Sequence, residues 1–310
     1  MSEVHFCETD NLKFSRLTDE IIKAQLVRSI VLNAIHDFFA DERFILVDPP
    51  VLHEQIPNKK HEIYLAQLDG RYSLNSSNAL YMGAYASMFG RVYAISPTFR
   101  DEQDSINHLT EFRMLEAEML HMGFLDLMTF VEKLIVLVLT AVSRHKLISS
   151  SEVLLERIEF LSANFRPKRV TYANFIEDIL RREHLDFNVD VDLSSIDHLV
   201  SRYIEEPIFI TNYPFGTWTA KQSPEDGTRL SFNLILPETF GELCEGCERT
   251  NDTARLEISM RHAGVTNLRW YIDAVKGITG SRAGFGLGVD RLVRWLIGSN
   301  EIQNMVIFYR

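Results

Sequence analysis

The segment PTFRDEQDSINHLTEFRMLEAEM, residues 97–119, constrains the fold more than any other stretch of the chain. Two strand-like halves flank a polar loop, and the second half alternates apolar and polar residues in its middle, so the segment predicts an antiparallel hairpin. The surrounding pattern supplies its neighbours. Thr18 reads as an N-cap with Asp19 and Glu20 in the first turn, and Ile22, Leu26, Val27, Ile30, Ala34 and Phe38 then recur at helical spacing, predicting a helix over 18–40. FILVDPP (44–50) reads as a short strand, and RYSLNSS (71–77) and GRVYAISPTFRDE (90–102) as strands around a helical LYMGAYASMFG. EFRMLEAEMLHM (111–122) reads as a strand and 126–146 as a second long helix.

Beyond it, 147–205 is more polar and partly helical, an insertion packed beside the sheet. EPIFIT (206–211), RLSFNLIL (229–236) and GELCEG (241–246) read as strands, 251–276 as helices, and AGFGLGVDRLVRWLIG (283–298) as a glycine-rich turn running into a helix. Strands, a helical insertion, then more strands favour the α+β class: an antiparallel sheet flanked by helices, in one catalytic domain over 1–310.

Bulk properties exclude some functions. Apolar residues make up 46% of the 310 and charged residues 24%, the balance of a soluble enzyme. No apolar run reaches the length of a membrane span, and the N-terminus lacks a secretory pattern. Three cysteines build no disulfide framework, which predicts a reducing cytoplasm. The net charge of −11 and the lack of a dense Lys/Arg cluster argue against gripping a long nucleic acid, whose binding rests on phosphate neutralisation.

Three constellations carry chemistry. In the hairpin, Arg100 can bind a phosphate bidentately, and Phe112 can support a nucleobase. Further on, Gly284, Gly286 and Gly288 allow close approach of a ligand to the backbone, and Arg291 follows at a helix start, where the dipole favours anions. In LPETFGELCEGCERTND (236–252), Glu242 and Glu245 are spaced to share a Mg²⁺ held against phosphates. Cys244 and Cys247 also have a zinc spacing, but a structural zinc needs four ligands and the remaining cysteine is Cys7.

These segments together resemble the class II aminoacyl-tRNA synthetases. FRDE…HLTEF resembles motif 2, GFGLGVDRL motif 3, and ERFILVDPPVL (42–52), with Pro50, motif 1, in the family's order over nearly the whole chain. HLTEF, GELCEG–ER and the terminal IFYR resemble the aspartyl/asparaginyl group. The motif 1 helix begins near residue 18, leaving no room before it for an anticodon-binding OB-fold, as in the archaeal asparagine synthetase-related proteins.

The resemblance implies roles. Arg100 would bind the α-phosphate of ATP; Glu102 and Phe112 would contact adenine; Arg291 would cover it and touch the γ-phosphate; and His108 would reach the terminal phosphates. Leu109 and Gly288 complete the ATP half; Glu242 matches a Mg²⁺ ligand, and Glu245, spaced to share the ion, stands where the family usually has Ser or Asp. Glu62, Ser77 and Glu116 would hold the substrate's α-amino group, and Arg249 its side chain. The amino-acid half departs from the family. Met82 stands where aspartate-specific members have lysine, Gly83 where asparagine-specific members have glutamate, and Asn107 where an arginine is common beside His108. Met82→Lys is therefore expected to improve aspartate use, Gly83 to open space, and Lys221 to offer a substitute base.

The implied activity is an AMP-forming ligase. It activates aspartate or a related amino acid and transfers it to ammonia or a small amine rather than to tRNA. The rival readings are an asparaginyl-tRNA synthetase-like enzyme and a non-catalytic regulatory paralogue. A homodimer through motif 1 is implied, with Phe38, Phe39 and Phe44 buried partly by the partner.

Overall fold

A computed structural model describes residues 18–54, 63, 72–101, 106–149, 151–183, 200–214, 216–262 and 268–308. The chain enters through α1 (Asp19–Asp41), capped by the Thr18 hydroxyl, which accepts from Ile21 N at 3.3 Å. Strand β1 (Ile45–Leu46) follows, then the small ribbon β2 (Leu52–Glu54) and β3 (Tyr72–Leu74), and helix α2 (Ala79–Phe89). Strands β4 (Arg91–Phe99) and β5 (Glu111–Leu120) form the predicted hairpin in unbroken antiparallel register from Arg91 opposite Met119 to Phe99 opposite Glu111.

After helix α3 (Phe124–Ser143) come α4 (Lys146–Ser149), α5 (Glu152–Asn164), β6 (Lys168–Thr171) and α6 (Tyr172–Glu183). Strands β7 (Ile208–Tyr213), β8 (Arg229–Leu236) and β9 (Gly241–Glu248) follow. The chain then runs through α7 (Thr253–His262), α8 (Arg269–Val275), β10 (Arg282–Gly288) and α9 (Val289–Ile297).

One eight-stranded sheet, in the order β1-β4-β5-β10-β9-β8-β7-β6, organises the molecule. Its edge strands β1 and β6 pair in parallel and the rest are antiparallel, which makes the fold α+β. Strand alternation gives the sheet two distinct faces. On β5, Leu115, Ala117 and Met119 turn to a core built with α1 and α3, where Phe38, Phe39, Phe130 and Leu134 are buried. Each of the Leu, Met and Phe side chains stabilises by roughly 1.5–3 kcal/mol on full burial. Phe112, Met114, Glu116 and Glu118, at the alternate positions, line a cavity on the opposite face.

Four expectations are corrected. The strand expected over 44–50 is reduced to Ile45–Leu46, because Pro49 and Pro50 have no N–H to extend a ladder. The glycine-rich segment is a central strand, β10, paired on both sides by β5 and β9. Phe38, Phe39 and Phe44 are buried within the chain's own core and need no partner to cover them. The stretch 147–205 also does more than pack beside the sheet, since its strand β6 extends it through β7.

Candidate functional site

The cavity, of about 460 Å³, lies over β5, β10 and β9. Its floor is low because Gly286 and Gly288 of β10 line it, with Gly284 on the same face of the strand against Glu118 and Ala283, Phe285 and Leu287 in the core. A Cβ built on Gly284 would sit 1.9 Å from Glu118 Oε2, and one on Gly286 2.9 Å from Met114 Cε. The close approach of a ligand or neighbour to the backbone thus requires glycine here.

One end of the cavity is cationic and aromatic. Arg100, just past the end of β4, holds its guanidinium 5.4 Å from the centre of the Phe112 ring, and its Nε donates to Ser76 O at 3.3 Å. Arg291, in the first turn of α9, donates from Nη1 to Glu242 O at 2.6 Å. Its neighbour Asp290, buried, accepts from Arg28 of α1 and, at 2.7 Å, from Arg113 N of β5, so three elements fix the start of α9. Arg294, one turn on, donates to Asn107; burial and nearby Arg291 pull its pKa down to about 10. Asn107, His108 and Leu109 line this end as well.

Glu242 and Glu245 reach the same face although they lie three apart on a strand, a separation that ordinarily puts side chains on opposite faces. A bulge explains it: Leu234 pairs with Cys244 and Ile235 with Glu242, so Leu243 is an extra residue that shifts the alternation. Both carboxylates line the cavity, and Glu242 accepts from Asn233 Nδ2. Two convergent carboxylates beside the cationic end fit a hard divalent cation such as Mg²⁺. Cys244 and Cys247, also three apart but beyond the bulge, face opposite ways: Cys244 lies in the core and Cys247 at the cavity, where burial pushes its thiol up to about 11.

The other end is held by carboxylates. Glu116 Oε1 accepts from Ser77 Oγ at 2.8 Å and from Asn78 N at 2.9 Å, at the N-terminus of α2, where the helix dipole favours a negative charge. Glu118, fully buried, accepts from Arg249 Nε at 3.2 Å and from Arg282 Nη1 at 2.7 Å. Burial alone would lower the pKa of Arg249; the charge of Glu118 and its hydrogen bond work the other way, and the group stays charged.

Ser77, Met82, Arg100, His108, Leu109, Phe112, Glu116, Glu242, Glu245, Arg249, Gly288 and Arg291 thus share one cavity. Glu62 and Glu102 lie outside the described residues. Gly83 opens no space: a Cβ there would meet Arg282 Nη1 at 2.8 Å and Tyr271 Cε2 at 3.0 Å, because these two side chains fill it. Lys221 is not a cavity base, since its Nζ is paired at 2.6 Å with Glu248. Met82 borders the cavity but packs with Ala86, Val92 and Ala94. Sequence reasoning passed over Arg282 and its acceptors Tyr271 and Asn251, and gave Glu118, two residues beyond Glu116 on the second hairpin strand, no role.

A sheet of this order, flanked by helices and with arginines and carboxylates gathered in a cavity over its centre, has the fold of a class II synthetase catalytic core. Residues 12–310 match the model for "tRNA synthetases class II (D, K and N)", and the chain belongs to that family. It is similar to asparaginyl-tRNA synthetase from Pyrococcus horikoshii complexed with asparaginyl-adenylate, with 25% identity over 94% of this chain and 69% of that one, and a TM-score of 0.85. The Entamoeba histolytica asparaginyl-tRNA synthetase shares the fold at 24% identity (94% and 68% covered, TM-score 0.84). An aspartyl-tRNA synthetase from the same organism does so at 20% (93% and 58% covered, TM-score 0.75). The family implies an ATP-dependent ligase that uses Mg²⁺. Among the described residues, no helix is long and apolar enough to cross a membrane.

Proposed function

We propose that this chain is an AMP-forming ligase that activates aspartate or a closely related amino acid and passes it to ammonia or a small amine. The observation that carries the reading is that Arg100 and Arg291 line the same cavity as Glu116 and Arg249. A nucleotide and an amino acid bound at its two ends would bring an α-phosphate and a carboxylate together near the glycine floor. Arg100 would grip the α-phosphate with its guanidinium, which lies over the Phe112 ring, and Phe112 would also support adenine. Arg291 and His108 would bind the outer phosphates, with Leu109 and Gly288 bordering the nucleotide and Glu102 at its adenine. Glu116, with Ser77 and Glu62, would hold the α-ammonium group, and Arg249 the side chain.

A carboxylate oxygen of the substrate then attacks the α-phosphorus, the bond to pyrophosphate breaks, and an acyl-adenylate forms. Attack of the amine nitrogen on the acyl carbon forms the amide and releases AMP. Arg100 stabilises charge growing on the α-phosphate, an electrostatic contribution needing no covalent enzyme intermediate. Glu242 and Glu245 would hold Mg²⁺, which when bound neutralises phosphate charge.

A second reading, acylation of a tRNA, is favoured by the likeness to asparaginyl-tRNA synthetases over 94% of the chain. The net charge of −11 weighs against it. The test is ATP–pyrophosphate exchange across the amino acids, followed by parallel acceptor assays with ammonia and with total tRNA at low salt. We expect exchange with an aspartate-type substrate and amide formation with ammonia. Saturable tRNA charging without amide product would establish the second reading instead. Arg100→Ala should lower exchange by about 2–4 kcal/mol of transition-state stabilisation, as when one preorganised donor is removed.

A further inference from the structure

The ionic cluster at the amino-acid end is unbalanced. Glu118 supplies one negative charge to two guanidinium groups, Arg249 and Arg282, all three nearly or fully out of solvent. Arg282 is wholly buried and spends its donors inward, on Asn251 Oδ1 at 3.1 Å, Tyr271 Oη at 3.1 Å and Thr250 O at 3.5 Å, besides Glu118. Arg249 borders the cavity. Its Nη1 meets Thr219 Oγ1 at 3.2 Å and Cys247 Sγ at 2.9 Å, and no described residue bonds its Nη2. Burial holds Tyr271 and Cys247 in their neutral forms. Lys221 pairs with Glu248 at 2.6 Å and adds no net charge. Within this triad one positive charge is therefore left over, and it borders the cavity on Arg249; of the other carboxylates lining the cavity, Glu116 is the one assigned to the substrate's α-ammonium group and Glu242 and Glu245 the ones assigned to Mg²⁺.

A desolvated site with a surplus charge favours a ligand that cancels it. Without Arg282, the Glu118–Arg249 pair would be neutral and would suit an uncharged amide. With Arg282 occupying Glu118, the same pocket suits a carboxylate. Two glycines make this arrangement possible, since a Cβ at Gly83 would meet Arg282 Nη1 and one at Gly284 would meet Glu118. We propose that Arg282 is a positioning residue which, through Glu118, makes this pocket select an amino acid with a side-chain carboxylate over the corresponding amide. The proposal rests on the amino-acid-binding reading of the cavity.

The experiment is calorimetric titration of the full chain, wild type, Arg282→Lys and Arg282→Met, with L-aspartate and L-asparagine, alongside ATP–pyrophosphate exchange with both. The wild type should bind aspartate at least about tenfold more tightly than asparagine. Arg282→Met should cut that ratio by about tenfold or more, and Arg282→Lys should keep most of it. A merely structural arginine would weaken both amino acids together and leave the ratio unchanged, which overturns the proposal. So does a wild type that prefers asparagine or binds neither amino acid. Should Arg282→Met fail to fold, the wild-type ratio and Arg282→Lys decide. Exchange absent with every amino acid, but with the aspartate preference intact in binding, refutes the ligase reading and leaves the charge selection standing. Exchange that favours asparagine does the reverse.

Discussion

Glu118 is the residue whose loss should be felt most widely. It is fully buried and is the shared partner of Arg249 and Arg282. Glu118→Gln keeps the shape but strands two buried guanidinium groups, and breaking a buried pair from one side typically costs about 3–5 kcal/mol. We expect a loss of that size in denaturant unfolding; a change below about 1 kcal/mol would mean that water or relaxation reaches the cluster. The same charge count reverses an expectation from the sequence. With Arg282 already supplying the second cation, Met82→Lys adds charge to a position that packs with Ala86, Val92 and Ala94. It should weaken aspartate binding rather than improve it, read as a lower kcat/KM; an improvement would show that the introduced ammonium group reaches the ligand and that the site tolerates a further cation.

At the scale of elements, period and partner decided what the sequence disclosed. The β4–β5 hairpin and α1 were legible because their apolar residues recur at two and at about 3.6, and because Thr18 marks a start. Strand β10 was misread as a turn, since glycine is the usual mark of one; Gly284, Gly286 and Gly288 in fact alternate with core residues, the period of a strand. The β9 bulge was not legible, because an extra residue is defined only against its partner β8. Twelve residues singled out from the motifs line the one cavity, whereas Arg282 was passed over because its contact with Glu118 spans a chain separation that no local pattern records, 164 residues.

The β10 glycines differ in what they protect, and a pair of substitutions separates the two roles. Gly284→Ala would drive a methyl group into Glu118 and to 2.7 Å from Ala117 O, a backbone atom that cannot yield without shifting the β5 pairing. Overpacking of this kind costs about 1–3 kcal/mol or more. Gly286→Ala meets chiefly the flexible end of Met114, so it should fold nearly normally while raising the floor under the ligand. We expect Gly284→Ala to lower Tm and Gly286→Ala to raise the KM for ATP with little change in Tm. Equal effects on Tm would remove the distinction.

At the scale of the whole molecule, the sheet has an edge that the described residues leave open. Strand β1 is the outermost strand, two residues long, and pairs only with β4. Ile45 and Leu46 on it are 44% and 56% exposed, and Val51 and Leu52 after the prolines are exposed as well. An apolar edge strand is a template for association that proteins ordinarily cover. A twofold partner could cover it with the same segment in a self-complementary contact. That contact would lie beside α1, whose Arg28 reaches Asp290, the residue preceding Arg291 in the cavity. Association would therefore brace the helix that carries an ATP-binding candidate. We expect sedimentation at micromolar concentration to give twice the 35.8 kDa chain mass. The double substitution Ile45→Glu, Leu46→Glu should yield a folded monomer with reduced exchange activity, because it charges an exposed edge and leaves the Phe38–Phe39 core untouched. A wild type that sediments as a monomer, or a charged variant that remains a fully active dimer, would place the interface elsewhere or nowhere, and would detach the start of α9 from any partner.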